Sequence, residues 1–424
     1  MAAPNRDALS RIVDRRIALA REWDGLVEQV RQLGPQLGDF LRPPRAGSLL
    51  PAVGDGAAVL VNVTARRCDA LVVTADGVRP VRLPDLTADE AGELAAEHLD
   101  RLAEVDRTAA ELHLARDRVT RRADAATFQA HHAANLAAQR AQGELDRHLV
   151  TALRRLWDVV AEPVLATLPE PSRVWWCPTG PLNFLPLHAA GRHDRPGSSV
   201  LDRTVSSYTP TLRALARARP TGAEATEPGR MLVVAVPEAP DAPPLPQAAD
   251  EAELIRALVP ADQLTVLAGE EATRAAVLAA LPAHRWAHFS CHGTPDDEHP
   301  SRGGLLLHDG RITVADVGRG RYHGEFAFLS ACHTASGGIR MPDEVITLAA
   351  GLHHAGFRHV LATLWAVDAD VARLLTETVF GALTTTGRFD PGGAAEAARA
   401  AVLALRATDP GRPSRWALFT HTGP

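Results

Sequence analysis

Lysine is missing from this chain of 424 residues: all 45 of its basic residues are arginine. The bias is that of a GC-rich genome and points to no chemistry of its own. Net charge is −6, and arginine is interspersed with acid throughout, so no basic stripe marks a nucleic-acid surface. Direct contact with nucleic acid is therefore not expected. No apolar run approaches the roughly 18 residues of a membrane helix. Residues 1–16 are polar and charged, without the apolar stretch that export requires. Cysteine is scarce. The four (Cys68, Cys177, Cys291 and Cys332) show no CxxC spacing. These absences lead us to expect a soluble chain in a reducing, cytoplasmic setting, where a thiol stays a thiol.

Hydrophobic residues make up 46% of the chain, enough for two or three domains with real cores. The pattern predicts a helix over 7–32, then a Pro/Gly-rich break at 43–56. Three strands follow, over 58–63, 70–74 and 78–83, with Asp76-Gly77 as a tight turn. Residues 87–168, rich in Ala, Leu, Glu and Arg, read as long helices, and His131-His132 sits on one of their partly exposed faces. A strand follows at 174–180 and a Gly/Ala/Glu/Pro linker at 221–230. Beyond the linker, strands at 231–236, 264–267, 286–291, 326–330 and 359–364 alternate with helices at 248–258, 272–281 and 344–355. Such alternation predicts an α/β layer structure with a mostly parallel sheet, whose sites form at the carboxyl ends of strands.

Two dipeptides fall at such ends. Cys291-His292 closes Trp286-Ala287-His288-Phe289-Ser290, and Cys332-His333 closes Phe326-Ala327-Phe328-Leu329-Ser330-Ala331. A Cys2His2 zinc site is one reading. Adjacent strand residues face opposite ways, however, and although His288-x-x-x-His292 fits a zinc-helix spacing, Phe289 and Gly293 suit a strand end better, so no metal site is expected. Buried cysteine and niche histidine, with no chemistry, is a second. The third is a thiol nucleophile with a histidine base on the neighbouring strand. Two dyads can then form, His292 with Cys332 or Cys291 with His333. Gly293 permits a close backbone approach and an oxyanion-binding N–H, and Ser330-Ala331 leaves room for a substrate backbone. These neighbours rank His292–Cys332 first, although spacing alone leaves both dyads open.

The second half resembles the CHAT domain, a caspase-like and separase-like cysteine peptidase module. His288 to Gly293 is like the family's H-x-x-x-H-G, and Leu329-Ser330-Ala331-Cys332-His333-Thr334 like its L-S-A-C-x-T. Ala355 to Trp365 resembles A-G-x-x-x-V-x-x-x-L-W, and Arg415-Trp416-Ala417-Leu418-Phe419 the closing W-A-x-F strand. Cys177 to Pro186 is similar to the P-x-G-x-L-x-x-x-P element upstream, and Tyr208-Thr209-Pro210-Thr211-Leu212 and Leu245-Pro246-Gln247-Ala248 match further landmarks. The likeness covers residues 175–424 well and 49–83 loosely.

The resemblance implies a caspase-like three-layer α/β/α fold with a mostly parallel sheet, preceded by a degenerate caspase-like unit with long helices. It divides the chain into an N-terminal helical segment (1–48), a pseudo-protease region (49–220) and a catalytic domain (221–424). It implies an endopeptidase without cofactor that cleaves a partner protein through a thioester. His292 is then the base, Cys332 the nucleophile, and the N–H groups of Gly293 and Cys332 the oxyanion site. Many relatives carry an acid where His333 stands, a change that leaves the dyad intact. Asp368 is implied as the acid that receives a P1 arginine. Its other reading is the N-cap of a helix running to 382. The acids at 296–298 and at 343–344 read first as a surface loop and a helix start. Family context implies a regulated effector in bacterial defence or programmed cell death, with a regulatory protein partner. The competing function is an inactive CHAT module that binds a peptide as a scaffold.

Overall fold

Three short strands open the main sheet: β1 (Ala57–Val63), β2 (Cys68–Thr74) and β3 (Gly77–Arg82). They pair antiparallel in succession, with Gly77 at φ 146° in the turn that the Asp-Gly pair predicts. β3 is the sheet edge, which is where Pro80 can lack an N–H without breaking a ladder. The structure is a computed structural model and describes residues 6–34, 37, 40–42, 44–170, 172–219, 229–240, 242–296, 299–335, 347–385 and 388–424.

The remaining strands are β4 (Ser172–Pro178), β5 (Thr204–Tyr208), β6 (Met231–Ala235), β7 (Leu264–Ala268), β8 (Trp286–Ser290), β9 (His292–Thr294), β10 (Gly304–Leu307), β11 (Gly310–Thr313), β12 (Phe326–Ser330), β13 (His359–Thr363), β14 (Thr384–Thr385), β15 (Arg388–Phe389) and β16 (Phe419–Thr422). Among the described residues, eleven of the sixteen strands form one sheet in the order β3-β2-β1-β4-β5-β16-β13-β12-β8-β6-β7. Apart from the first hairpins and the β13–β16 pair, neighbours run parallel. The expected mixed α/β architecture with a mostly parallel sheet is present. The five N-terminal strands meet the six later ones at β5–β16, through the register pair Tyr208–Thr422.

Helices are α1 (Arg6–Gln32), α2 (Ala46–Leu49), α3 (Ala88–Arg121), α4 (Ala125–Leu156), α5 (Glu162–Leu165), α6 (Val200–Arg203), α7 (Leu212–Ala218), α8 (Gln247–Leu258), α9 (Arg274–Ala280), α10 (Val314–Gly318), α11 (Leu348–Ala355), α12 (Ala369–Leu383) and α13 (Ala394–Thr408). The chain divides into two units, Met1–Leu50 with the first two helices and Pro51–Pro424 with the rest. Caps set the ends of the long hairpin. Thr87 accepts from the Glu90 N–H at the start of α3, and Asp124 and Thr127 form a reciprocal capping box at the start of α4. His132 is exposed on α4 and His131 half-buried, as the helical reading has it.

Around the later strands the layers are clear. Trp286, Phe326 and Phe328 face a core built with α8, α12 and α13, while Ala287, Phe289, Ala327 and Leu329 face α9, α10 and α11. Two boundaries shift by four residues from expectation. Helix α11 starts at Leu348 rather than 344, because Thr347 caps it by accepting from the Ala350 N–H; residues 336–346, with the acids at 343–344, lie outside the described residues. The closing strand starts at Phe419 rather than 415. Pro413 opens a turn whose carbonyl accepts from Trp416 and Ala417, so the Trp-Ala pair is spent before the strand begins. The predicted linker lies mostly in 220–228, outside the described residues.

Candidate active site

β8 and β12 run side by side and parallel, in a register that sets Phe328 beside His288 and Ser330 beside Ser290. Alternation then sorts their side chains between the two layers. Cys291 and Ala331 go into the α9–α11 layer, where Cys291 is buried. Burial, aided by the neighbouring Cys332 and Glu251, pushes the Cys291 thiol far above its ordinary range. His288 and Ser330 go the other way and meet Glu251 of α8. His288 Nε2–H donates to Glu251 Oε2 at 2.8 Å and Ser330 Oγ–H to Oε1 at 3.1 Å.

His292 leaves the main sheet and enters β9, which pairs antiparallel with β10 through His292–Leu306 and Gly293–Leu305. Its Nε2 lies 2.6 Å from the carbonyl oxygen of Pro243, in the loop before α8. A carbonyl only accepts, so the ring carries its hydrogen on Nε2. In the neutral ring Nδ1 then keeps the lone pair, the form a general base needs.

Cys332 is half-buried in the turn that follows β12. Two threonines tie that turn to β13. Thr334 Oγ1 accepts from the Thr363 N–H at 3.0 Å, and Thr363 Oγ1–H donates to the Ala331 carbonyl at 2.6 Å. His333 takes φ 56°, the left-handed region that an L side chain enters at a cost of about 1 kcal/mol. Gly293 runs against this turn: a Cβ there would lie 1.8 Å from the Cys332 carbonyl oxygen. His292, Gly293 and Cys332 are thus gathered at adjoining strand ends.

Burial raises the pKa of the Cys332 thiol. A hydrogen bond from the Val367 backbone works against that rise, and the charges of Asp106 and Asp368 add to it. The surroundings therefore favour the neutral thiol over the thiolate. Beside Val367 is a narrow notch lined by Leu102, Val105 and Asp106 of α3, Gln142 and Leu145 of α4, the 365–368 loop, Ser414 and Arg415. Asp368 stands at the N-cap of α12, but its side chain makes no cap bond there. It pairs with Arg415 at 2.7 Å instead, and Arg415 also binds Asp370. Asp106 reaches the rim from α3, with Oδ2 3.2 Å from His333 Nε2.

Pro243, Glu251 and Asp106 were not singled out in the sequence. Glu251 left a trace, since Ala248, Ala252 and Ile255 place it on the core face of α8. Asp106 left none, because it reaches the site only through the packing of α3. Of the acids at 296–298, Asp296 accepts from the His299 N–H at 2.7 Å, and 297–298 lie outside the described residues. Among the described residues no three His, Cys, Asp or Glu side chains gather as a metal would need, and no helix is long and apolar enough to cross a membrane.

With this geometry in place, comparison with known proteins identifies the family. The CHAT-domain profile matches residues 150–424. The chain belongs to the CHAT-domain family. No curated protein matches the sequence. In fold, the CHAT chain is similar to separase in the separase–securin complex of Saccharomyces cerevisiae, with TM-score 0.62 and 10% identity over 89% of this chain. A second structure of that complex gives TM-score 0.55 and 9% identity over 88%. The chain spans 30% of the separase chain in each. The matched share is larger than the span of the profile match, so the likeness in fold begins before residue 150.

Proposed function

We propose that this CHAT protein is a cysteine endopeptidase acting through His292 and Cys332. The observation that carries the reading is the Pro243 carbonyl on His292 Nε2, which leaves Nδ1 as a base at the strand end beside the nucleophile's turn. As Cys332 Sγ attacks the scissile carbonyl carbon, its proton passes to His292 Nδ1 and the carbonyl electron pair moves onto oxygen. The N–H groups of Gly293 and Cys332 hold that oxyanion. Collapse breaks the C–N bond, the leaving amine takes the proton from His292, and a thioester remains. Water, deprotonated by His292, then attacks the thioester; the C–S bond breaks and the thiol is restored.

The notch beside Val367 receives the P1 side chain. Asp368 and Asp106 line it, which suits arginine; the pairing of Asp368 with Arg415 leaves Asp106 the less engaged carboxylate. The protein acts as a regulated effector, in bacterial defence or programmed cell death, on a protein substrate and under a protein activator. The α3–α4 hairpin reaches the rim of the site and is placed to transmit such control.

The test is cleavage of a peptide library by wild type, Cys332→Ala and Cys291→Ala, with activator present. Loss with Cys332→Ala alone is expected. Loss with Cys291→Ala alone would sink the assignment, and no cleavage or thiol labelling by wild type would point to a peptide-binding scaffold.

A further inference from the structure

Glu251 is the most enclosed carboxylate near the site. It has no exposed surface, and neither has its partner His288. Burying a carboxylate in an apolar layer is costly unless its lone pairs are met. Here they are, by three elements at once: His288 of β8, Ser330 of β12 and Thr376 of α12, whose hydroxyl donates to Oε2 at 3.2 Å. Phe328 and Phe380 set the His288 ring edge-on, with centroids 5.1 and 5.5 Å away.

The fold does not need a charge here. An apolar residue of similar volume would fill the same space, and such replacements of buried ionic groups often leave stability unchanged or raise it. What an apolar residue cannot do is bond two particular strands. His288 lies four positions before His292 on the same strand run, and Ser330 two positions before Cys332. We propose that Glu251 is a positioning residue for the His292–Cys332 pair: its carboxylate clasps the strand that ends at the histidine to the strand that ends at the cysteine. The backbone ladder fixes the register of β8 against β12. The clasp fixes the finer slide and tilt of the two ends, where a displacement of about 1 Å can cost on the order of a hundredfold in rate.

This inference rests on the peptidase reading, so its test has one arm that needs turnover and one that does not. Glu251→Gln keeps the volume and removes the charge. Ile255→Val, on the same buried face of α8, loosens packing without touching the clasp. Both are followed by thermal melt, by kcat and KM on a fluorogenic peptide library, and by hydrogen exchange at residues 289–293 and 330–333. Glu251→Gln is expected to stay folded, keep KM within about twofold, lose at least about tenfold in kcat, and exchange faster at both strand ends. Ile255→Val is expected to keep its kcat and its strand-end protection. An unchanged kcat in Glu251→Gln, or an equal kcat loss in Ile255→Val, overturns the proposal. If wild type cleaves nothing, the peptidase reading fails and the exchange arm decides the clasp alone: faster exchange at both strand ends in Glu251→Gln upholds it, and unchanged protection there overturns it.

Discussion

Gly293 and Cys332 touch through their backbones: a methyl group at Gly293 would stand 1.8 Å from the Cys332 carbonyl oxygen, and neither main chain has a flexible tip to give way. Gly293→Ala must therefore push β9 away from the turn that carries Cys332. The expected cost is about 1–3 kcal/mol of stability, as for other overpacked sites, with a larger proportional loss of cleavage. A denaturant melt beside single-turnover kinetics checks this; an alanine variant with wild-type turnover would show that the contact is dispensable.

The Cys332 thiol offers a pH test. Burial favours its neutral form, so its labelling by iodoacetamide should rise with a midpoint above the ordinary thiol value of 9.0. Mass spectrometry of the Cys332 peptide across pH reads this directly. A midpoint below 7 would mean a preformed thiolate and would remove the need for His292 as base in the attacking step.

The proposed P1 site makes specificity a test of the two carboxylates of the notch. Asp106→Asn should reduce cleavage after arginine by about tenfold, the scale of one charged hydrogen bond. Asp368→Asn should reduce it less, because Arg415 already engages that carboxylate. Profiling both variants on P1-arginine and P1-leucine peptides checks the ranking, and equal losses on both peptides would remove the notch from P1 recognition.

Acid should unfold the protein early. Burial holds His98, His188 and His359 near pKa 3, against 6.5 for a free imidazole. Between those values the unfolded chain binds more protons than the folded one, so stability falls as pH drops through 6.5 toward 3. Each histidine contributes at most about 1.4 kcal/mol per pH unit. His98 is the clearest case: among the described residues neither ring nitrogen has a hydrogen-bond partner, and the ring packs against His148 and Trp365. His98→Phe should flatten the slope between pH 7.5 and 5 in urea titrations. A wild-type midpoint that does not move over that range would contradict the argument.

Much of this was legible in the sequence, for identifiable reasons. Strand length, apolar runs and the Asp-Gly turn located β1 to β3 and the parallel strands, because local pattern and tertiary burial agree there. The Cys-His pairs fell at strand ends for the same reason. Pattern failed where a long-range partner decides the outcome. Asp368 read equally as a helix cap or a site acid, and Arg415, 47 positions away, draws its side chain to an ion pair. The Trp416 segment read as strand, but Pro413 turns it first. Asp106 carried no signal, since only the packing of α3 brings it to His333.

The central claim is that Cys332, not Cys291, forms the acyl-enzyme. Its most direct test is a peptidyl acyloxymethyl ketone with P1 arginine, incubated with activated wild-type protein and mapped by tandem mass spectrometry. The account predicts a single adduct on the Cys332 peptide that disappears in His292→Ala. An adduct on Cys291, or one on Cys332 that forms equally fast without His292, would contradict it.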